Sequence, residues 1–334
     1  MDLAERLQNI ADESDFSGVI TVSRNDQRLA ELTRTLADRA HRRPNDINTQ
    51  FGMASVTKGL TALAIVSLIS AGKLGFDTTL RSLLDDELAL VDPAVTIEHL
   101  LGHTSGVGDY LDEDEPGGDE DYVKDMPVHL LNSPRDYLPL MDSLPQKSEP
   151  GDRWKYNNSG FVMLSIAVEV ASGKSFYDVV QERVLDPAGM TDTAFFRGDA
   201  LPARAAVGYL TDGRTNIFHL PVRGAGDGGV YSTVADMEKL WSALFGGRIL
   251  PTELVELLTQ PRNDAPSEKL RYGLGFWLRP DHATVMLEGQ DPGISTRSAY
   301  DIDSTLSYTV LSNTTSGAWP ICAFLDEQLP SLAS

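Results

Sequence analysis

Ser55 and Lys58 could form a nucleophile and its base, because a serine and a lysine three residues apart on a helix lie one turn apart. A neutral lysine amine can remove the proton of a serine hydroxyl, which requires burial or a neighbouring positive charge to lower the pKa of the lysine. The run 55–71 is rich in Leu, Ala and Ile and closes at Gly72, so we expect a buried helix that begins near Ser55. Backbone N–H groups at such a helix start would face a developing oxyanion.

The same S-x-x-K pattern occurs a second time, at Ser70 and Lys73. Gly72 ends the predicted helix between them, so the two side chains share no helix face, and we interpret them as structural. For Ser55 the alternative is a helix cap beside an incidental Lys58. The motif alone does not separate a cap from a nucleophile.

A second candidate motif is Tyr156-Asn157-Asn158, the only Y-x-N in the chain. It lies between the loop 149–152 and a helical run from Phe161, where a tyrosine can project its phenol into a cleft. There Tyr156 could relay a proton to the leaving group, and Asn158 could hydrogen-bond Lys58 and the substrate. The alternative is an aromatic and polar turn without a chemical role.

The elements that would position these residues are strands at both ends of the chain and helices between them. Residues 17–33 read as a hairpin, strand patterns return at 271–278, 284–287, 295–301 and 307–312, and a final helix begins near Trp319. This order predicts an α/β fold of the α+β type, with an antiparallel sheet built from both termini and an inserted helical lobe. We expect an α/β lobe over 1–60 and 265–334, a helical lobe over 61–264, one domain overall, and the site in the cleft between the lobes.

Composition limits the partners and the compartment. The 334 residues carry a net charge of -21, which would repel nucleic acid and anionic lipid, so we expect neither as a partner. Residues 1–6 contain early acids and no apolar signal segment, and the apolar stretch 60–69 is too short to cross a bilayer, which predicts a cytoplasmic protein without a membrane helix. The single cysteine, Cys322, excludes an intramolecular disulfide and lies in an apolar stretch typical of buried packing.

The order of these motifs resembles the penicillin-binding-protein and class C β-lactamase superfamily, which includes D-Ala-D-Ala carboxypeptidases and family VIII esterases. Further blocks agree with it, namely L-L-G-H-T-S-G at 100–106, G-G-V-Y-S-T-V-A-D-M at 228–237, Y-G-L-G-F at 272–276 and D-P-G at 291–293. The resemblance covers residues 17 to about 315. It implies a two-lobed fold, no cofactor, and acyl transfer through an ester on Ser55, with the N–H groups of Ser55 and of Gln290, which follows Gly289, as the oxyanion hole.

The chain departs from this family at one position. Counting back from Gly293, the K-T-G or H-x-G triplet of the family falls on Leu287-Glu288-Gly289, so leucine replaces the usual cation. The change removes a partner for a substrate carboxylate and a positive neighbour of Lys58. Arg297 or Arg279 could replace that cation; the alternative is that both are solvated strand charges. We therefore expect a preference for neutral acyl substrates.

Other sites have less support. No G-x-S-x-G occurs, so the nucleophile elbow of α/β-hydrolases is absent. His99 and His103 are spaced for a metal, but glycines indicate that the helix ends there, and we expect His103 to bond backbone at a turn. Acidic residues at 112–115 and 119–121 lack the spacing of an EF-hand and read as a solvated loop. We expect no metal.

The function predicted from these motifs is hydrolysis of a small ester or amide by a carboxylesterase or a D-amino-acid amidase. The alternatives are a β-lactamase or D-Ala-D-Ala carboxypeptidase and, in a different class, a binding or assembly module without turnover. The expected partner is a small acyl substrate. The oligomeric state and the division of proton transfer between Lys58 and Tyr156 stay open at this point.

Overall fold

The computed structural model describes residues 2–14, 16–25, 27–84, 86–113, 120–122, 124–280 and 283–333, without the side chains of 329–331 and 333. Residues 114–119 of the predicted acidic loop lie outside this range. The strands are β1 (Gly18–Arg24), β2 (Gln27–Arg34), β3 (Leu36–Asp38), β4 (Arg43–Pro44), β5 (Phe51–Gly52), β6 (Tyr231–Ser232), β7 (Asn263–Ala265), β8 (Leu270–Tyr272), β9 (Trp277–Leu278), β10 (Thr284–Asp291), β11 (Ile294–Asp301) and β12 (Leu306–Ser312).

Most of the helices lie between β5 and β7. They are α1 (Leu3–Glu13), α2 (Thr57–Ser70), α3 (Arg81–Leu84), α4 (Ile97–Leu101), α5 (Leu138–Met141), α6 (Asn158–Ser172), α7 (Phe176–Val180), α8 (Asp186–Ala188), α9 (Val234–Phe245), α10 (Thr252–Thr259) and α11 (Trp319–Ala333). Short 3-10 turns occur at Ala54–Val56, Val128–Leu130 and Pro134–Tyr137, and a π-helical turn occurs at Gln181–Leu185.

The main sheet joins the two ends of the chain. Its eight strands run in the order β2-β1-β12-β11-β10-β9-β8-β7, and every neighbouring pair is antiparallel. Strand β1 pairs with β12 along its whole length, from Gly18 opposite Ser312 to Arg24 opposite Leu306. The predicted hairpin and the predicted sheet from both termini are therefore confirmed.

The two faces of the sheet belong to different hydrophobic clusters. Successive side chains of a strand point to opposite faces. Accordingly, Leu287 of β10 packs into the cluster that contains α2, α6 and α9, whereas Met286 packs into the cluster that contains α1 and α11. The face that carries Leu287 is the one that meets the helical part of the chain, and so it is the face that can contribute to a cleft.

Helix α2 is buried from Thr57 to Leu68, as the apolar run predicts. It ends at Ser70, and Gly72 follows with φ of 68°, a left-handed conformation that suits glycine. Ser70 and Lys73 are both exposed beyond the buried part of the helix. The structural interpretation of the second S-x-x-K copy agrees with this position.

Helix α1 is an element that the strand and helix patterns above do not include. Asp2 caps it, since its side chain accepts a hydrogen bond from the backbone of Glu5, and the Glu5 carboxylate accepts one from the backbone of Asp2. Leu7 and Ala11 of this helix are buried against the sheet. Within the described ranges, no helix is both long enough and apolar enough to cross a bilayer.

Candidate active site

Ser55 lies in a strained turn at the start of α2. The preceding residue, Ala54, has φ of 46°, a conformation that costs free energy for any residue other than glycine. Two contacts hold the turn: the Met53 amide donates to the Val230 carbonyl at 2.8 Å, and the Thr57 hydroxyl donates to the Ala54 carbonyl at 2.7 Å. Such strain at a single residue commonly marks a functional site.

The amine of Lys58 has three partners. Its Nζ lies 2.8 Å from Ser55 Oγ, 2.7 Å from Asn158 Oδ1 and 2.9 Å from the Asp227 carbonyl oxygen. The latter two oxygens can only accept, so a neutral amine that donates to both directs its lone pair at the Ser55 hydroxyl.

The side chain of Asn158 fixes the orientation of this arrangement. Its Nδ2 donates to the Leu111 carbonyl at 2.9 Å and to the Glu113 carboxylate at 3.0 Å, which leaves Oδ1 for Lys58. The structure thus contains the Lys58–Asn158 hydrogen bond that the spacing suggests.

Burial adjusts the proton affinity of the lysine. Lys58 is only 2% exposed, and this desolvation lowers the pKa of its amine, although the carboxylates of Asp227 and Glu113 act in the opposite direction. A lower pKa increases the fraction of neutral amine near pH 7. The family cation that is absent at position 287 is therefore not required to bring the pKa of Lys58 down.

Tyr156 lies beside the same hydroxyl. The Ser55 side chain acts on the pKa of its phenol, and Lys58 Nζ lies 4.9 Å from the centre of its ring. The ring stacks on Trp277 with centroids 5.7 Å apart and packs against His103 at 4.5 Å. Burial raises the pKa of Tyr156 well above its ordinary value, so the phenol stays protonated near neutral pH.

His103 supports this tyrosine from behind. It is buried, and its Nδ1 accepts a hydrogen bond from the Asn157 amide at 3.1 Å, while its carbonyl accepts one from the Lys155 amide at 2.9 Å. The prediction that His103 bonds backbone at a turn is confirmed. No set of three His, Cys, Asp or Glu residues in the described part of the chain is arranged to hold a metal.

Strand β10 forms one wall of the site. Gly289 is the point of closest approach, since a Cβ there would lie 2.5 Å from the Ser55 nitrogen and 2.6 Å from the Met53 carbonyl oxygen. The Thr284 carbonyl accepts from the Arg279 amide on the β9 side. The backbone groups of every second residue in a strand point to the same edge of that strand. Gln290 lies six residues after Thr284, so its N–H is directed to the edge that faces β9, where the Ser55 turn packs.

Leu287 does not line the cleft. It is 1% exposed, and it packs over α2 so closely that a Cβ on Gly59 would lie 2.4 Å from its side chain. The leucine at the position of the family cation is thus a core residue in this protein.

Arg297 is not brought to the nucleophile. It lies opposite Glu288 in the β10–β11 register, on the face of the sheet away from Leu287, and it forms ion pairs with Glu288 at 2.6 Å and Asp326 at 2.9 Å. Arg279 likewise pairs with Asp326, at 3.0 Å. Neither guanidinium is among the groups that surround Ser55, which corrects the suggestion that one of them replaces the missing cation.

Ser55 opens into a cleft of about 450 Å³. This volume suits a small organic ligand. Its polar lining includes carboxylates that the motifs do not reveal, those of Glu113, Asp227 and Asp291, together with the amine of Lys124. Its apolar lining includes Phe196, Leu220, Val222 and the highly exposed Phe218. In the sequence, two family-like blocks point to residues of this lining. The block at 228–237 begins directly after Asp227, and the block at 291–293 includes Asp291.

Comparison with known proteins decides the family. A family model described as Beta-lactamase matches residues 3–324. This chain belongs to the beta-lactamase family. The resemblance drawn from the motifs is therefore confirmed.

Individual beta-lactamase-family relatives carry different names. Penicillin-binding protein 4* of Bacillus subtilis (strain 168) is 27% identical over 326 residues, covering 92% of this chain and 70% of that protein. Esterase EstB of Burkholderia gladioli is 34% identical over 217 residues, covering 62% of this chain and 55% of that protein. The crystal structure of a penicillin binding protein from Bacillus halodurans has a TM-score of 0.90 and 39% identity, and the match covers 96% of this chain and 99% of that one. The predicted fold class is thereby confirmed.

Blocks that resemble the beta-lactamase family surround the site in this chain. The block at 100–106 contributes His103, and the block at 228–237 contributes Val230, whose carbonyl holds the Ser55 turn. The block at 272–276 contributes Tyr272, whose ring lies 4.8 Å from both His103 and Trp277. These family blocks act as a scaffold behind Ser55 and Tyr156.

Proposed function

We propose that this protein is a serine hydrolase that cleaves small esters or amides through an acyl-enzyme on Ser55. The observation that carries the proposal is the contact between Lys58 Nζ and Ser55 Oγ at 2.8 Å, together with the two acceptors that orient the amine. Activation of a serine by an adjacent base within hydrogen-bonding distance is the general requirement for nucleophilic catalysis by this residue.

In the acylation step, Ser55 Oγ attacks the carbonyl carbon of the substrate and its proton passes to the neutral Lys58 amine. The carbonyl oxygen becomes an oxyanion, which accepts hydrogen bonds from the N–H groups of Ser55 and Gln290. Each such donor is typically worth roughly 10² to 10³ in rate. Collapse of the tetrahedral intermediate breaks the bond to the alcohol or amine, and that leaving group takes up a proton.

The directions of the pKa shifts favour a division of labour between the two proton carriers. Because the pKa of Lys58 is lowered by burial, the lysine is suited to be the base. Because the pKa of Tyr156 is raised by burial, the phenol is suited to pass a proton from Lys58 to the leaving group while it remains protonated overall. In deacylation, water attacks the ester, its proton passes to Lys58, and Ser55 leaves with a proton returned by the same path.

The substrate class follows from the cleft and from the relatives. Leu287 is in the core, so the cation that a carboxylate substrate would use at this position is missing. This favours a carboxylesterase or amide hydrolase, in agreement with the name of the relative esterase EstB. A second candidate is a penicillin-binding function, which the names of the Bacillus subtilis and Bacillus halodurans relatives favour. The partner in either case is a small acyl compound.

The test is covalent labelling of the protein with a fluorophosphonate, followed by turnover of p-nitrophenyl butyrate, a D-aminoacyl amide and nitrocefin. We expect wild-type protein to be labelled, Ser55→Ala to lose labelling and turnover while it stays folded, and Ser70→Ala to match wild type. Equal labelling of wild type and Ser55→Ala would refute the assignment of the nucleophile. A folded wild-type protein without any labelling would favour the binding or assembly module instead.

A kinetic comparison separates the two candidate activities. We expect the kcat/KM for the neutral ester to exceed that for nitrocefin by roughly ten- to a hundredfold, the value of one missing charge-assisted hydrogen bond. The reverse order of the two kcat/KM values would select the penicillin-binding function.

A further inference from the structure

Asp291 is a carboxylate in the wall of the cleft that Ser55 also lines. It lies on the same face of β10 as Gly289, two residues past the point where the strand touches the Ser55 turn. Gly228 lies between the two groups, because a Cβ there would be 3.9 Å from the Ala54 carbonyl and 3.9 Å from Asp291 Oδ2. The absence of a side chain at Gly228 leaves open space between this carboxylate and the Ala54 carbonyl of the Ser55 turn.

The Asp291 carboxylate takes part in no hydrogen bond or ion pair with a described residue, although the Lys124 amine acts on it electrostatically from beyond contact distance. It is only partly exposed to water, and burial raises its pKa to about 7. A carboxylate in such a place is costly unless a charged or hydrogen-bonding partner approaches it. The space beside it is part of the cleft, so a substrate group can supply that partner.

The balance of charges in the cleft determines whether that partner should be positively or negatively charged. Glu113, Asp227 and Asp291 line it, and Asp227 is only 7% exposed, whereas Lys124 is the additional amine among the described lining residues. Lys58 is uncharged in the state that accepts the Ser55 proton. The polar lining of the cleft therefore carries an excess of negative charge, which attracts a cation and repels a carboxylate.

The apolar lining of the cleft selects for a different property. Phe196, Phe218, Leu220 and Val222 line it with apolar surface, and Phe218 is 83% exposed. A ligand that fills the whole cleft would therefore combine an apolar group with a positive charge near the reacting carbonyl. Esters and amides of apolar α-amino acids have this chemistry, because their amino group is attached to the carbon next to the carbonyl.

We propose that the cleft selects acyl substrates with a free, protonated amino group next to the scissile carbonyl, and that the Asp291 carboxylate binds this ammonium group. The inference rests on the proposed function, because that function places the scissile bond next to Ser55. It assigns to Asp291 a role in substrate selection, separate from the proton transfers of Lys58 and Tyr156.

The first experiment measures binding without turnover, in Ser55→Ala protein. Phenylalaninamide, as each enantiomer, is compared by calorimetry with 3-phenylpropanamide, which has the same skeleton without the amino group. We expect the preferred enantiomer to bind roughly ten- to a hundredfold more tightly than the analogue, as for one charge-assisted hydrogen bond. Equal dissociation constants for the three amides would overturn the proposal.

Asp291→Asn, made in the same Ser55→Ala protein, assigns the effect to one carboxylate. We expect it to remove most of the preference for the amino compound and to leave the affinity for 3-phenylpropanamide within about twofold. Asp264→Asn is the control, because it removes the same charge from an exposed position paired with Arg271 outside the cleft. A preference that survives in Asp291→Asn, or that is lost equally in Asp264→Asn, would contradict a specific role for Asp291.

Turnover separates this inference from the proposed function. If wild-type protein is labelled by fluorophosphonate but cleaves the p-nitrophenyl esters of phenylalanine and of 3-phenylpropanoic acid with equal kcat/KM, the hydrolase assignment holds and the ammonium site is wrong. If the amino compounds bind selectively but the protein is never labelled, the ammonium site holds and the hydrolase assignment is wrong. Selective binding together with a kcat/KM at least tenfold higher for the phenylalanine ester supports both.

Discussion

Gly289 and Ser55 touch through their backbones: a Cβ at Gly289 would lie 2.5 Å from the Ser55 nitrogen, closer than real Cβ atoms approach. Strand β10 and the nucleophile turn therefore fit together only because this residue lacks a side chain. The same contact brings the Ser55 amide beside the edge to which the Gln290 amide is directed. The geometry of the proposed oxyanion hole depends on it.

We expect Gly289→Ala to slow fluorophosphonate labelling by about 10² or more, because the methyl group must displace the turn that carries an oxyanion donor. Gly198→Ala is the matched control, since Gly198 also lines the cleft and a Cβ there would meet only the Val222 carbonyl oxygen, at 3.8 Å. Labelling rates of the two variants and of wild type are compared at equal protein stability. A rate for Gly289→Ala close to that of Gly198→Ala would count against the close contact.

Lys58→Ala and Tyr156→Phe should each reduce the acylation rate by about 10² or more, the usual scale for a lost proton transfer. Lys58 contacts the Ser55 hydroxyl and Tyr156 lies beside Lys58, so the double variant should lose much less than the product of the two single effects. Burst kinetics with p-nitrophenyl butyrate measure the rate. Fully multiplicative effects would show that the two groups do not share one relay.

Asp291→Asn should make folding stability less dependent on pH. Burial raises the pKa of Asp291 from 3.8 to about 7, against the opposing effect of Lys124. The folded protein then binds an extra proton between these values, so wild type loses stability as pH rises through about 7. We expect the variant to match wild type near pH 4 and to have a melting temperature higher by about 3 °C or more at pH 8. A lower melting temperature of the variant at pH 8 would contradict this linkage.

Leu287→Lys should destabilise the protein, because it places an ammonium group in a core position that is 1% exposed and packed over Gly59. The expected loss is several kcal/mol, whereas Leu287→Met should cost less than about 1.5 kcal/mol. Urea unfolding of the two variants measures the difference. Equal stability of Leu287→Lys and wild type would mean that the side chain leaves the core for the cleft.

The sequence predicts best the site residues that lie close to one another along the chain. Ser55 and Lys58 lie one helical turn apart in any helix that begins there, and the loop before α6 presents Tyr156 and Asn158 from one short segment. The capping box of Asp2 and Glu5 is an equally local signal for α1. Strand β7, with the sequence Asn-Asp-Ala, has no propensity pattern at all and forms only by pairing with β8.

The residues that the sequence does not predict depend on register and on distant packing. Whether Arg297 faces the nucleophile is decided by its position opposite Glu288, and a shift of one residue would turn it to the other face. Asp227 and Asp291 converge on the cleft from separate segments, and no spacing indicates that meeting. The left-handed conformation of Ala54 is imposed by Val230 and by its neighbours, since alanine itself does not favour it.

The pairing of β1 with β12 has a consequence for the order in which the protein assembles. A ribosome delivers Ser312 long after its partner Gly18, so the centre of the sheet cannot form until the residues between them have been made. Contacts of such large sequence separation slow folding. Helix α2 can carry Ser55 and Lys58 beforehand, but β10 reaches them only when the late strands arrive. Until β10 is in place, Ser55 lacks the Gln290 donor of the proposed oxyanion hole, and we infer that reactivity toward acyl compounds appears only after the sheet has formed.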